Sequence, residues 1–191
     1  AGMVKNDAFA WTNPLDKRCV FFRYPQEGMY KADEENNAVR LLLSADTFES
    51  DKSPAYIGVR VTNLQFAFSS DVSIEDGCIG QAGLVYLHDE KNYVKWVLDK
   101  AADGMKLLLV HVEDGEAKLL YSQKTDSVSV KLSLELKDMQ ICAYADGNVV
   151  EATVAAEDLT SERKGGFTGC TLGVYAEGKN SGYAVFSNTT F

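Results

Sequence analysis

Apolar residues fall at every second position in run after run of this chain. In Val128-Ser-Val-Lys-Leu-Ser-Leu-Glu-Leu136 every other residue is polar. Successive side chains of a strand point to opposite faces, so this segment predicts a strand with one buried and one wet face. Further strands are expected at 18–23, 38–44, 81–88, 93–98, 106–112, 118–122, 140–145, 149–154, 171–176 and 183–186, with one long run at 56–70. Turn signals separate them: Asp89-Glu-Lys-Asn92, Asp103-Gly104, Asp114-Gly115, Asp146-Gly147 and Lys164-Gly-Gly166. Asp-Gly between apolar runs marks a tight hairpin, because the turn needs positive φ. Helical periodicity is weak, with one short turn expected at 155–159. About a dozen short, evenly spaced strands predict an all-β fold, a two-sheet antiparallel β-sandwich or jelly roll.

Composition narrows the function. At 191 residues, 46% of them hydrophobic, the chain suits one domain with a real core. Residues 7–191 read as that single domain, and residues 1–6 as a linker or a leftover of expression. The net charge of -9 excludes nucleic acid as a partner, since that affinity is built from Lys and Arg neutralising phosphates. Anionic membranes are disfavoured for the same reason, and no apolar run approaches the roughly 20 residues of a spanning helix. Cys19, Cys78, Cys142 and Cys170 form no C-x-x-C pair, which excludes zinc ribbons and thioredoxin-like sites. They read as buried thiols, with a disulfide in a secreted protein as the alternative.

Catalytic signals are sparse. A glycosidase needs two carboxylates across a cleft, and the alternating E-x-D-x-E strand that supplies them on many sandwiches is absent. The acidic clusters at 33–35, 75–76, 89–90 and 113–114 fall in turns and read as solvated loop tips. No G-x-S-x-G elbow or paired-histidine metal spacing occurs. More informative are polar and aromatic residues at matched strand positions. Tyr86 and His88 share one face, and across the Asp89 turn Tyr93 and Lys95 are expected to meet them, with Val94, Trp96 and Leu98 turned to the core. Tyr56, Gly58 and Arg60 share a face, Arg23 lies opposite Phe22, and Tyr175 opposite Val174. On one sheet these residues would form a sugar-binding surface, with rings stacking on pyranose faces and charged groups binding hydroxyls. The bland alternative is a solvated outer face, and pattern alone leaves both open.

Several segments resemble the C-terminal β-sandwich domain of glycoside hydrolase family 43 β-xylosidases. They are Asp7-Ala-Phe, Phe22-Arg-Tyr-Pro25, Asn37-Ala-Val-Arg-Leu-Leu42, Ser53-Pro-Ala-Tyr-Ile-Gly-Val-Arg60, Gln81-Ala-Gly-Leu-Val-Tyr86 with Asn92-Tyr-Val-Lys95, and Phe167-Thr-Gly-Cys-Thr-Leu-Gly-Val-Tyr-Ala176. They run in the family's order from about residue 7 to the end. The resemblance implies a concanavalin-like sandwich that packs beside a propeller catalytic domain or binds xylan, as carbohydrate-binding module family 91 does. It also implies that the catalytic acids lie in the other domain. The family's Arg-Gln reads Arg60-Val61 here, its Glu before Ala-Gly is Gln81, and its closing Ala-Asp-Phe-Asp reads Ala184-Val-Phe-Ser187. No cofactor is expected, and no motif supports the structural calcium that such a domain could hold.

The expected function is a non-catalytic carbohydrate-binding or accessory module for xylan or a related hemicellulose, not an enzyme on its own. Its partners are a polysaccharide or oligosaccharide and the catalytic domain of a parent hydrolase. The alternatives are a purely structural accessory domain and a stand-alone hydrolase or lyase. The candidate sugar contacts are Arg23, Arg60, Gln81, Tyr86, His88, Tyr93, Lys95 and Tyr175. Secretion or a cell-surface location is expected, with the cytoplasm as the alternative.

Overall fold

The computed structural model describes residues 7–63, 65–156 and 169–191. Among them are β1 (Tyr30–Asp33), β2 (Ala38–Leu42), β3 (Ala55–Arg60), β4 (Phe66–Ile74), β5 (Gly80–Asp89), β6 (Asn92–Ala101) and β7 (Gly104–Glu113), then β8 (Glu116–Thr125), β9 (Ser129–Lys137), β10 (Gln140–Ala145), β11 (Asn148–Ala155), β12 (Thr171–Glu177) and β13 (Tyr183–Thr190). A seven-stranded sheet runs β1-β2-β13-β4-β9-β10-β11, and a six-stranded sheet runs β3-β12-β5-β6-β7-β8. The expected all-β two-sheet sandwich is what forms.

Local chemistry sets the hairpins. Asp114 and Gly115 lie at φ 51° and 83°, and Asp146 and Gly147 at 49° and 82°. Positive φ at both central residues is the type I′ turn, whose twist matches that of the flanking strands. Asp138 and Met139 also have positive φ, at 50° and 60°, between β9 and β10. No glycine announces that turn in the sequence. Between the sheets, alternate residues form one core: Val130, Leu132, Leu134 and Leu136 of β9 face Leu84, Trp96, Leu98 and Val174 of the other sheet. Each such side chain contributes about 1.5–3 kcal/mol by leaving water. Trp96 is wholly buried, and its Nε1 donates to the Tyr144 carbonyl at 2.9 Å.

Some expectations need correction. Residues 18–23 form no strand, since only Val20 pairs, as an isolated bridge to Gly58. The run at 56–70 divides into β3 and β4, which belong to different sheets. The crossing is marked in the sequence by Thr62-Asn63, where the apolar positions change from odd (Ile57, Val59, Val61) to even (Phe66, Phe68). Short β1 was not expected at all. The Lys164-Gly-Gly166 turn, Phe167-Thr168 and residues 157–159 of the short helical turn lie outside the described residues.

Candidate functional site

The outer face of the six-stranded sheet is where the expected sugar contacts should assemble. Its register runs Arg60–Thr171–Leu87–Tyr93 across β3, β12, β5 and β6 in one row. A second row runs Glu177–Gln81–Asp99 across β12, β5 and β6. The rows are six residues apart on β12, roughly 20 Å at the rise of a strand. Arg60 therefore lies at the far end and at the edge of the sheet, away from Gln81.

The middle of this face is a second hydrophobic cluster, not a wet surface. Tyr56, Val85, Leu87, Tyr93, Val110, Val112 and Tyr175 gather under Phe48, with Phe22 beside them. Phe48, from the loop joining β2 to β3, has no solvent exposure. Its ring stacks on Tyr175 at 4.8 Å and 18°, tilts against Tyr93 at 4.9 Å, and meets Tyr56 edge-on at 5.4 Å. The loop is clamped: Arg23 donates to the Phe48 carbonyl at 3.0 Å, Ser53 Oγ to the Phe22 carbonyl, and Gln26 to Asp46 and to the Ser53 carbonyl. Tyr56 lies over Gly58 and Gly173, and its hydroxyl shares a 2.7 Å hydrogen bond with Thr171 Oγ1. A methyl group at Gly58 would fall 2.5 Å from that hydroxyl, and one at Gly173 2.7 Å from the ring. Those two glycines make the trough for the ring.

Burial sets the acidity of these phenols. Tyr93 is pushed up to about 12 by burial first, then by the Glu49 and Glu177 carboxylates. Tyr175 is raised well above its ordinary value by burial, with Glu177 and Tyr93 adding to it. Both rings are neutral donors at any physiological pH, and both are covered.

Beside the cluster is a half-buried polar network. Lys95 Nζ donates to Gln81 Oε1 and Glu177 Oε1, each at 2.7 Å, and Gln81 Nε2 donates to Asp99 Oδ1 at 2.9 Å. Lys95 pairs across the ladder with Val85, so it reaches toward Gln81 past Gly83, which has no side chain in its way. Both acids of the network are engaged, Glu177 with Lys95 and Asp99 with Gln81. The network can exchange hydrogen bonds with hydroxyls at its rim, and nothing in it resembles an acid and a nucleophile held apart across a cleft.

Tyr86 and His88 are not on this face. In the β5–β6 hairpin Asp89 pairs with Asn92, but Leu87 pairs with Tyr93 and Tyr86 with Val94, because a bulge at His88 adds one residue to β5. One residue of slip moves every side chain upstream to the other face. Tyr86 is fully buried between the sheets and stacks on Phe66 at 5.6 Å. His88 Nδ1 lies 3.4 Å from Cys170 Sγ, and its Nε2 lies 3.7 Å from Asp89. Arg23 belongs to no strand. It sits at φ 67°, exposed, with its guanidinium 4.5 Å over the Phe22 ring. The structure thus brings together Gln81, Tyr93, Lys95 and Tyr175, lets Arg23 approach from above, and separates Arg60, Tyr86 and His88. Sequence reasoning missed Phe48 and Glu177. A lone phenylalanine in the polar stretch Asp46-Thr-Phe-Glu-Ser50 is the signal for the first, and the two-residue step from Tyr175 for the second.

Residues 6–191 match the model of the family described as the β-xylosidase C-terminal concanavalin A-like domain. The chain belongs to this family. A xylosidase/arabinosidase of Butyrivibrio fibrisolvens is 26% identical over 174 residues, covering 87% of this chain and 34% of that protein. The Bacteroides ovatus structure named Xyloglucan PUL GH43B superposes with a TM-score of 0.81 at 22% identity, covering 99% of this chain and 39% of that one. The family domain therefore spans about a third of the relatives it matches. Carbohydrate-binding module CBM66 of Bacillus subtilis shares the fold, with a TM-score of 0.53 at 18% identity, covering 90% of this chain and 93% of the module. The four cysteines of this family member are unbridged, with Cys170 buried.

Proposed function

We propose that this domain serves a glycoside hydrolase acting on xylan or a related hemicellulose. It would pack beside the catalytic domain as a non-catalytic accessory unit, outside the cell or at its surface. The observation that carries this reading is the Phe48 roof. A free-standing sugar module needs accessible rings on which a pyranose can stack, whereas Tyr93 and Tyr175 already stack on a protein ring. What remains exposed beside this roof is the segment before β1 that clamps the Phe48 loop, bearing Arg23 and Tyr24, the latter 91% exposed, suited to contact a neighbouring domain or the edge of its substrate. The relatives, about three times as long, support such a neighbour.

An independent polysaccharide-binding module is the second reading. The half-buried Lys95–Gln81–Glu177 rim favours it, as does the likeness in size and fold to a carbohydrate-binding module. Affinity electrophoresis in xylan and arabinoxylan gels separates the two. The isolated chain should migrate unretarded, while deleting the domain from the full-length enzyme should lower its stability or raise KM on oligosaccharides. Strong retardation of the isolated chain, or a deletion that changes neither quantity, would overturn the accessory reading.

A further inference from the structure

Around Arg60, at the end of β3 away from the Lys95 network, the described residues line an open pocket of about 470 Å³. That is within the size range of small-molecule sites. Its floor is apolar, with Val59, Phe66 and Leu172, and its rim carries Lys17, Arg18 and Arg60. Three cations on one rim run against the charge of a chain with 19 basic and 28 acidic residues. Arg18 is committed to Asp16, 3.1 Å away. Lys17 and Arg60 make no ion pair among the described residues; Lys17 feels the Asp16 carboxylate beside it, so the Arg60 charge is the one the rim offers beside an apolar floor. The Phe66 ring is held by its near-parallel stack on Tyr86, at 16°. The buried tyrosine that left the outer face thus props a rigid aromatic wall for this pocket.

We propose that this pocket binds a sugar acid, a pyranose bearing a carboxylate, as found on acid-decorated hemicellulose. The carboxylate would pair with the Arg60 fork and with Lys17, and the C–H face of the ring would lie on Phe66 and its aliphatic neighbours. Each half of the site selects. A neutral sugar leaves the Arg60 charge unused, and a bare anion leaves the floor unused. Guanidinium matches a carboxylate with two parallel donors, which an ammonium group cannot reproduce. The inference rests on the hemicellulose reading above.

The test is calorimetric titration of the 191-residue chain with methyl glucuronoside, methyl glucoside and inorganic phosphate. The uronate should bind at least about tenfold more tightly than either of the others, the worth of one charge-assisted contact. Binding should weaken as salt is raised. Arg60→Gln should remove about tenfold of the affinity and Arg60→Lys should restore part of it, while Lys124→Gln, exposed on β8 at the opposite edge of the sheet, should bind like the wild type. Equal affinity for acid and neutral sugar, phosphate binding as well as the uronate, indifference to Arg60→Gln, or no binding of the uronate would each overturn the proposal. None of these results touches the accessory reading, whose test is run on polymer gels and on the full-length enzyme.

Discussion

Phe48→Ala is the sharpest perturbation of the outer face. The ring has no solvent exposure and contacts Phe22, Tyr56, Tyr93 and Tyr175 at centroid distances of 4.8 to 5.5 Å. Truncating a fully buried phenylalanine costs about 3–5 kcal/mol, from lost burial and the cavity left behind. The ring lies directly beneath a surface loop, where water can fill part of the space it leaves, so the low end, about 3 kcal/mol, is expected. With a urea m-value of roughly 2 kcal/mol/M, the unfolding midpoint should fall by about 1.5 M with the slope unchanged. Removing the roof also rehydrates the phenols beneath it. Tyr93, held at about 12 mainly by burial, should return toward its ordinary value in a spectrophotometric titration near 295 nm, the tyrosinate band. A midpoint shift below about 0.5 M, or an unchanged tyrosine titration, would refute the claim that Phe48 is the roof that buries these rings. If the accessory reading holds for the reason given, the same variant should gain measurable retardation in xylan gels.

Gly83→Ala places its methyl group 2.7 Å from the Val97 Cα and into the Trp96 carbonyl, both backbone, so it should cost several kcal/mol and lower Tm by about 10 °C or fail to fold. In the Lys95–Glu177 pair, with side chains 16% and 22% exposed, Lys95→Met alone should cost about 2 kcal/mol by stranding a half-buried carboxylate, while Lys95→Met with Glu177→Leu should recover most of it. A double-mutant cycle in urea checks this, and additive losses would contradict it. Alkaline stability follows from the phenols: Tyr56, Tyr86, Tyr93 and Tyr175 are all raised, chiefly by burial. Their stabilisation is complete below the unfolded value near 10 and is lost as pH rises through the folded values. Above pH 10 the unfolded state binds fewer protons, and each phenol removes about 1.4 kcal/mol per pH unit. Urea midpoints should stay flat from pH 7 to 9.5 and fall steeply by pH 11.5. Flat midpoints throughout would contradict the burial of these groups.

Much of the candidate site was legible one strand at a time. Alternation put Tyr56 and Arg60 on one face and Val94, Trp96 and Leu98 on the other, and the structure agrees. It failed where two strands had to be aligned. Counting outward from the Asp89 turn pairs His88 with Tyr93, but the bulge at His88 pairs Leu87 with Tyr93 instead. A bulge has no fixed sequence signature, because any residue can occupy the unpaired position. Covering was equally invisible. Nothing local in residues 43–54 says that Phe48 lies over Tyr175, since that contact joins positions far apart in the chain.

What the sequence determined by itself is what short-range physics controls: strands wherever apolar and polar residues alternate, tight turns at Asp-Gly, and hence a two-sheet sandwich with one wet and one buried face on strands such as β9. Family membership is carried by motifs in order, and it too was readable. Tertiary structure alone decided which face is a surface. Solvent exposure of a strand's polar side depends on whether a distant loop finds an apolar patch there. Phe48 found one, so tyrosines that read as a platform became a second core, and Arg60 was left with Lys17 at a different opening of the fold.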